Sequence, residues 1–277
     1  MNLPEIAQTL PHELLARWQT LLEYFEKQPS VIVAFSGGVD SALLCAAAYA
    51  ALGDRMLALT IHSPVESAES IEVAKAFAAQ VGFTHRVIEF NDLENPAFVA
   101  NPPGRCYVCK KARFEALIEL AKREEFTTLV EGTNADDVDD YRPGRKAVLE
   151  LGIQSPLLDL GFSKNEIRSL LKAMGLPNWN RPSAPCFATR FPYGSPVTQK
   201  GLDQVISGEA FMRDLGFEAI RVRHHGDTVK LEVDPDQFEG YITHRQQILE
   251  FFTGLGFRYI TADLAGYRRG SLNEVLK

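Results

Sequence analysis

Three groups of side chains in this sequence could carry chemistry. Cys106 and Cys109 form a C-x-x-C and Cys186 lies in a Pro-rich stretch, whereas Cys45 belongs to an Ala- and Leu-rich run with the texture of a core helix. Sulfurs in C-x-x-C can converge on one metal or one redox partner. With Cys186 they make three thiols in polar, loop-like settings, enough for an iron–sulfur cluster with one open iron or for a structural zinc completed by a fourth ligand. The second group, Ser36-Gly37-Gly38-Val39-Asp40-Ser41, separates an apolar run from an Ala/Leu-rich one. Glycines there let the chain turn and let a phosphate approach the amides, and the free N–H groups of a following helix hold the anion. No Gly-Lys-Ser/Thr follows, so this is not a Walker loop, and the dinucleotide pattern G-x-G-x-x-G is absent. In the third group, Arg221 and Arg223 alternate along a strand-like run and so face one side. Two guanidinium forks on one face suit a phosphate monoester, and the alternative is a solvated basic face balanced by acids such as Asp227. His224 and His225 read as turn residues rather than metal ligands, and Trp179 as a packing residue or a ring-stacking partner.

The elements that must position these groups follow from hydrophobic periodicity. Leu14, Leu15, Trp18, Leu21, Leu22 and Phe25 predict an amphipathic helix over 9–28. Short apolar runs at 31–35, 56–61, 86–90 and 127–131 predict buried strands, separated by helices that stop at Gly53, stop at Gly82, and run from Arg113 to Lys122. Strands alternating with helices, apolar rather than alternating in pattern, predict an α/β fold with a doubly wound, mostly parallel sheet. Pro177, Pro182, Pro185, Pro192 and Pro196 then interrupt regular structure. Beyond them come a helix (199–215), strands (218–223 and 228–233) about a turn at His225-Gly226-Asp227, a helix (237–252) and a strand (258–261). The expected division is 1–190 for the sheet domain and 191–277 for a smaller α+β C-terminal domain.

Composition narrows the function. The 277 residues carry 29 Lys+Arg against 36 Asp+Glu, a net charge of −7, and the deficit is shared by both parts of the chain on either side of Arg190. That disfavours a protein held mainly by nucleic-acid phosphates. Apolar runs are too short to span a bilayer and the start of the chain lacks signal-peptide texture, so a cytoplasmic protein without membrane partners is expected. Four cysteines are too few for a disulfide scaffold.

The string SGGVDS after a strand resembles the PP-loop of the ATP pyrophosphatases, a family with the adenine nucleotide α-hydrolase-like fold. The resemblance implies that Ser36, Gly37, Gly38, Val39, Asp40 and Ser41 surround the pyrophosphate of ATP and that Asp40 is catalytic. Glu131-Gly132-Thr133-Asn134-Ala135-Asp136-Asp137 follows the fourth strand, at the sheet edge where ligands bind. By the same resemblance Gly132 and Thr133 face the nucleotide, Glu131 and Asp136 a Mg²⁺ ion, and Ser63 the adenosine. The alternative is a solvated acidic turn capped by Asn134. SGGVDS, EGTNADDVDDYRPG (131–144), NRPSAPC (180–186), RVRHHGD (221–227) and GYRRGSLNE (266–274) together resemble the LarE-type sulfur transferases along essentially the whole chain.

That resemblance implies adenylation of the carboxylates of a pyridinium-3,5-biscarboxylic acid mononucleotide and their conversion to thiocarboxylates, with the substrate phosphate held by Arg221 and Arg223 beside Thr189 or Arg190. It implies ATP, Mg²⁺ and a homo-oligomer, hexameric in the family. It also implies that Cys106, Cys109 and Cys186 are catalytic, as ligands of a 4Fe–4S cluster that delivers sulfide; in the family's other chemistry a single cysteine at position 186 gives up its own sulfur. The competing readings are a PP-loop tRNA thiolase, an amide-forming synthetase of the NAD or GMP type, and a non-catalytic metal-binding regulator.

Overall fold

The computed structural model describes residues 10–137, 143–182, 185–268 and 270–276. Parts of three motifs (138–142, 183–184 and 269) therefore lie outside the described residues. In chain order the elements are α1 (His12–Glu26), β1 (Val31–Ala34), α2 (Val39–Leu52), β2 (Met56–His62), α3 (Ala68–Val81), β3 (His85–Glu89), α4 (Pro96–Val99), α5 (Arg105–Arg123) and β4 (Thr128–Val130). They continue with α6 (Gly144–Glu150), α7 (Pro156–Asp159), α8 (Lys164–Ala173), α9 (Gln199–Asp214), β5 (Ile220–His225), β6 (Thr228–Val233), α10 (Glu239–Thr243), α11 (Arg245–Gly254) and β7 (Tyr259–Ala262).

Contacts divide the chain into two compact units. The first takes in Met1–Ser63, Ser67–Phe90 and Cys106–Ala184. The second takes in Pro64–Glu66, Asn91–Arg105 and Pro185–Lys277.

The first unit is built on a four-stranded sheet of order β3-β2-β1-β4 in which every neighbouring pair is parallel. Such a sheet is covered on both faces, so its strands are apolar on both. Val31 and Val33 join the core under α2, while Ile32, Leu57, Leu59 and Leu129 pack with Phe114, Leu117 and Leu120 of α5 on the other face. Ala42 through Ala48 are all fully buried, because α2 lies against the sheet and is covered in turn by α1 and α8. Small side chains permit that double covering. This is the PP-loop α/β fold.

The second unit carries a smaller sheet of order β5-β6-β7, with β5 and β6 antiparallel and β6 and β7 parallel. The segment before α5 is part of its scaffold. Asn101, fully buried and at φ 52°, donates from Nδ2 to the carbonyls of Phe191, Pro192 and Ser195. Arg105, also buried, donates to Asn101 Oδ1 and, at 3.0 Å, to the carbonyl of Ala188.

Three local expectations change. Cys106 and Cys109 are not in a loop: α5 starts at Arg105, eight residues earlier than periodicity suggests, because its first turns are polar and carry no apolar stripe. His224 and His225 are the last residues of β5 rather than turn residues. The expected helix over 237–252 is two helices, α10 and α11, interrupted at His244.

Candidate active site

In the first unit, β1 ends at Ala34 and the chain turns through Gly37, at φ 73°, into α2. A Cβ at Gly37 would lie 3.1 Å from the Ser70 carbonyl, so the left-handed turn and the close approach to α3 both require glycine. Ser41 Oγ accepts from the Ser36 amide at 3.2 Å and is within 3.2 Å of the Gly38 carbonyl, which closes the loop on itself. Gly38 caps α2 without a side-chain bond, leaving the first amides of the helix available to an anion.

Asp40, in the first turn of α2, has its carboxylate between two groups that a reading of local motifs does not connect with it. Asn134 Nδ2 donates to Oδ1 at 3.1 Å, and Lys164 Nζ, from the first residue of α8, pairs with Oδ2. The Lys164 backbone amide donates to Asp136 at 2.8 Å. Local motifs give no sign of Asn178 either. It is buried, and its Nδ2 donates to the Gly37 carbonyl at 2.8 Å. The loop has no lysine in its own sequence; the fold supplies one from 124 residues away.

Glu131, expected near Mg²⁺, is buried and engaged otherwise. It accepts from Lys110 Nζ at 3.1 Å, Ser155 Oγ at 2.7 Å and the Thr133 amide at 2.9 Å. Burial pushes its carboxyl up, but Lys110 with the bonds from Thr133 and Ser155 outweighs it, and the group sits below its ordinary value. Asp136 is exposed, and Gly132 packs against Asp40, with a Cβ there 3.1 Å from the Asp40 side chain. Ser63 is buried beyond the end of β2. Trp179 is partly buried against the main core with Lys172 over its ring at 4.7 Å, a packing role.

Cys45 is buried in α2, and burial raises its thiol well above the ordinary range. Cys106 is exposed and Cys109 half-buried, one turn apart on α5, so their side chains share a helix face. None of the four cysteines is in a disulfide. Three thiols are the right donor type for an iron–sulfur cluster, but among the described residues no three His, Cys, Asp or Glu side chains are gathered as a metal-binding group.

In the second unit, Cys186 precedes the short turn Phe187–Arg190, and its carbonyl is held by the Thr189 amide at 3.1 Å, Thr189 Oγ1 at 2.8 Å and Arg190 at 3.3 Å. Three arginines meet here. Arg190 is buried with both ends of its fork on Glu209, at 2.8 Å each. Arg223 is bidentate to Glu232 at 3.0 and 2.9 Å and also donates to the Thr189 carbonyl at 2.8 Å. Both are therefore neutralised by carboxylates, and neither is a solvent-facing charge balanced by Asp227. Arg221 differs. Among the described residues it has no carboxylate ion pair, and its bonds go to the Ile220 carbonyl and the Tyr267 hydroxyl. Burial and then the nearby Arg190 push its guanidinium below its ordinary value, only partly offset by Glu209.

Comparison with known proteins places this geometry. The sequence profile of the NAD synthase family matches residues 16–138. Over 264 residues, 95% of this chain and 96% of the other, the sequence is 32% identical to the pyridinium-3,5-bisthiocarboxylic acid mononucleotide synthase of Lactiplantibacillus plantarum. The chain belongs to the LarE-type family. A Synechocystis protein described as uncharacterized is 37% identical over 95% of this chain and 99% of its own length. A glutamine-hydrolyzing GMP synthase from Methanococcus maripaludis is 30% identical over only 53% of this chain and 50% of its own. In this LarE-type chain, the residues that local motifs do not reveal (Lys164 and Asn178) come from α8 and the turn after it. The one signal for Lys164 is its place just after Ser163, which with Glu166 forms a capping box that marks a helix start.

Proposed function

We propose that this chain is an ATP-dependent sulfur transferase that converts the carboxylates of pyridinium-3,5-biscarboxylic acid mononucleotide into thiocarboxylates. The single observation that carries this reading is the end-to-end similarity to the Lactiplantibacillus synthase. A carboxylate oxygen attacks the α-phosphorus of ATP, and pyrophosphate leaves. A sulfur nucleophile then attacks the acyl carbon, and AMP leaves in place of the poor oxygen leaving group. The α2 amides cradle the pyrophosphate, with Ser36, Gly37, Gly38, Val39 and Ser41 around it. Asp40 takes Mg²⁺ when nucleotide is bound, which frees Lys164 to neutralise phosphate charge. Gly132, Thr133 and Ser63 border the nucleotide, and Asp136 is the further acid available to the metal.

Arg221 is the cation offered to the substrate phosphate, while Arg190, Arg223 and Thr189 hold it in place. Three arginines against Glu209 and Glu232 leave one positive charge for a ligand to neutralise, which supports an anionic partner there. In this reading 1–190 activates the carboxylate, 191–277 binds substrate and supports a homo-oligomer, and Cys106, Cys109 and Cys186 provide the sulfur chemistry as ligands of a 4Fe–4S cluster. When bound, such a cluster supplies transferable sulfur without consuming a cysteine. The alternative is that Cys186 gives up its own sulfur.

Incubation with ATP, Mg²⁺ and the mononucleotide is expected to yield AMP and pyrophosphate, and Asp40→Ala to abolish both. Appearance of ADP and phosphate instead would end the adenylation reading. Intact mass after turnover separates the sulfur sources: loss of H₂S from Cys186 marks the sacrificial route. Anaerobically reconstituted protein should show cluster absorbance that disappears in Cys106→Ala, Cys109→Ala and Cys186→Ala alike. The half-length similarity to the Methanococcus GMP synthase supports a shared ATP step; ammonia-dependent turnover of a nicotinate or xanthine nucleotide would favour an amide-forming synthetase instead.

A further inference from the structure

The segment after β7 contains GYRRGSLNE, a motif to which neither ATP nor sulfur chemistry gives a task. Its backbone is pinned to the second unit. Gly266, at φ 68°, leaves no room for a side chain: a Cβ would lie 2.8 Å from the Val233 carbonyl and 2.9 Å from Pro235. The next amide, of Tyr267, donates to that same Val233 carbonyl at 2.8 Å. This turn brings the Tyr267 ring against Arg221, 4.8 Å from guanidinium carbon to ring centroid, with Arg221 Nη2 donating to the phenol oxygen at 3.2 Å. Further along, Ser271 Oγ accepts from Arg223 at 2.8 Å, and Asn273 accepts from Tyr193 at 2.8 Å.

The contrast between the arginines is informative. Arg190 and Arg223 are immobilised by carboxylates, which also cancel their charge. Arg221 is held by a neutral hydroxyl and an aromatic face, which orient a guanidinium while leaving its charge available. We propose that Tyr267 is a positioning residue that keeps Arg221 aimed and charged for the phosphate monoester of the ligand, and that residues 266–273 form one wall of that site. The inference rests on the phosphate role of Arg221 proposed above. Because a phenol brings no formal charge, it holds the arginine without competing with the incoming dianion, as a carboxylate would.

The test compares binding of the pyridinium mononucleotide with that of the corresponding nucleoside, which lacks the phosphate. Tyr267→Ala removes both ring and hydroxyl and is expected to weaken mononucleotide binding about five- to thirtyfold, and Tyr267→Phe, which keeps the ring, about two- to fivefold. Nucleoside binding and ATP KM should stay at wild-type values in both. In an Arg221→Met background, Tyr267→Ala should add no further loss. Wild-type mononucleotide affinity in both Tyr267 variants, or an equal penalty on the nucleoside, overturns the inference. If Tyr267→Ala fails to fold, Tyr267→Phe alone decides it. A wild-type protein that does not distinguish mononucleotide from nucleoside, or an Arg221→Met variant that binds both normally, removes the phosphate reading itself. Loss in Arg221→Met with none in the Tyr267 variants removes only the role of Tyr267.

Discussion

Arg221 and Arg223 have the same side chain, two positions apart on one strand, and opposite energetic situations. Arg223 forms a bidentate pair with the buried Glu232. Arg223→Met would leave that carboxylate without its main partner and is expected to cost about 3–5 kcal/mol of stability, readable in denaturant melts. Arg221→Met strands no acid; it should change stability by about 1 kcal/mol or less and instead lower affinity for phosphate monoesters. Glu131 makes a pH prediction. Its folded value is depressed, so its contribution to stability is present above the unfolded value of about 4.3 and is lost as pH falls through the lower folded value. Acid titration of Glu131→Gln against wild type should show the two melting temperatures converging below about pH 4, with wild type ahead only above it.

At the scale of elements, the PP-loop is held from outside as much as by its own sequence. Gly37→Ala would force a Cβ into the left-handed region and against Ser70, an expected loss of about 1–2 kcal/mol along with weakened ATP binding. Asn178→Ala removes the donor to the Gly37 carbonyl and should raise the KM for ATP while leaving far-UV circular dichroism unchanged. Equal KM values in the variant and the wild type would show that the turn after α8 has no part in shaping the loop. The helical placement of Cys106 and Cys109 also matters, since one helical turn sets their separation.

At the scale of the whole molecule, each unit carries one proposed ligand contact set, so ligand stabilisation should separate by mutation. ATP with Mg²⁺ at about a hundred times its Kd should add about 2.7 kcal/mol, an effect removed by Asp40→Ala and kept by Arg221→Met. The mononucleotide should show the reverse dependence on Arg221 when ATP is absent. The net charge of −7 predicts no retention on bulk tRNA at about physiological salt. Among the described residues no helix is long and apolar enough to cross a membrane.

Sequence alone determined the parallel α/β core, since buried strands and their helices are marked by short apolar runs and glycine stops at Gly53 and Gly82. It also determined the phosphate loop, whose turn chemistry is local to residues 36–41, and the family, because spaced motifs extend along the whole chain. The start of α5 was not legible, because polar first turns leave no periodic stripe to read. Which arginine keeps its charge, what holds Asp40 and Gly37, and that residues 91–105 scaffold the second unit were decided only by tertiary structure. Each depends on partners distant in sequence (Glu232 aside, which reaches Arg223 across a hairpin), and burial in a medium of low dielectric determines which charges must be paired.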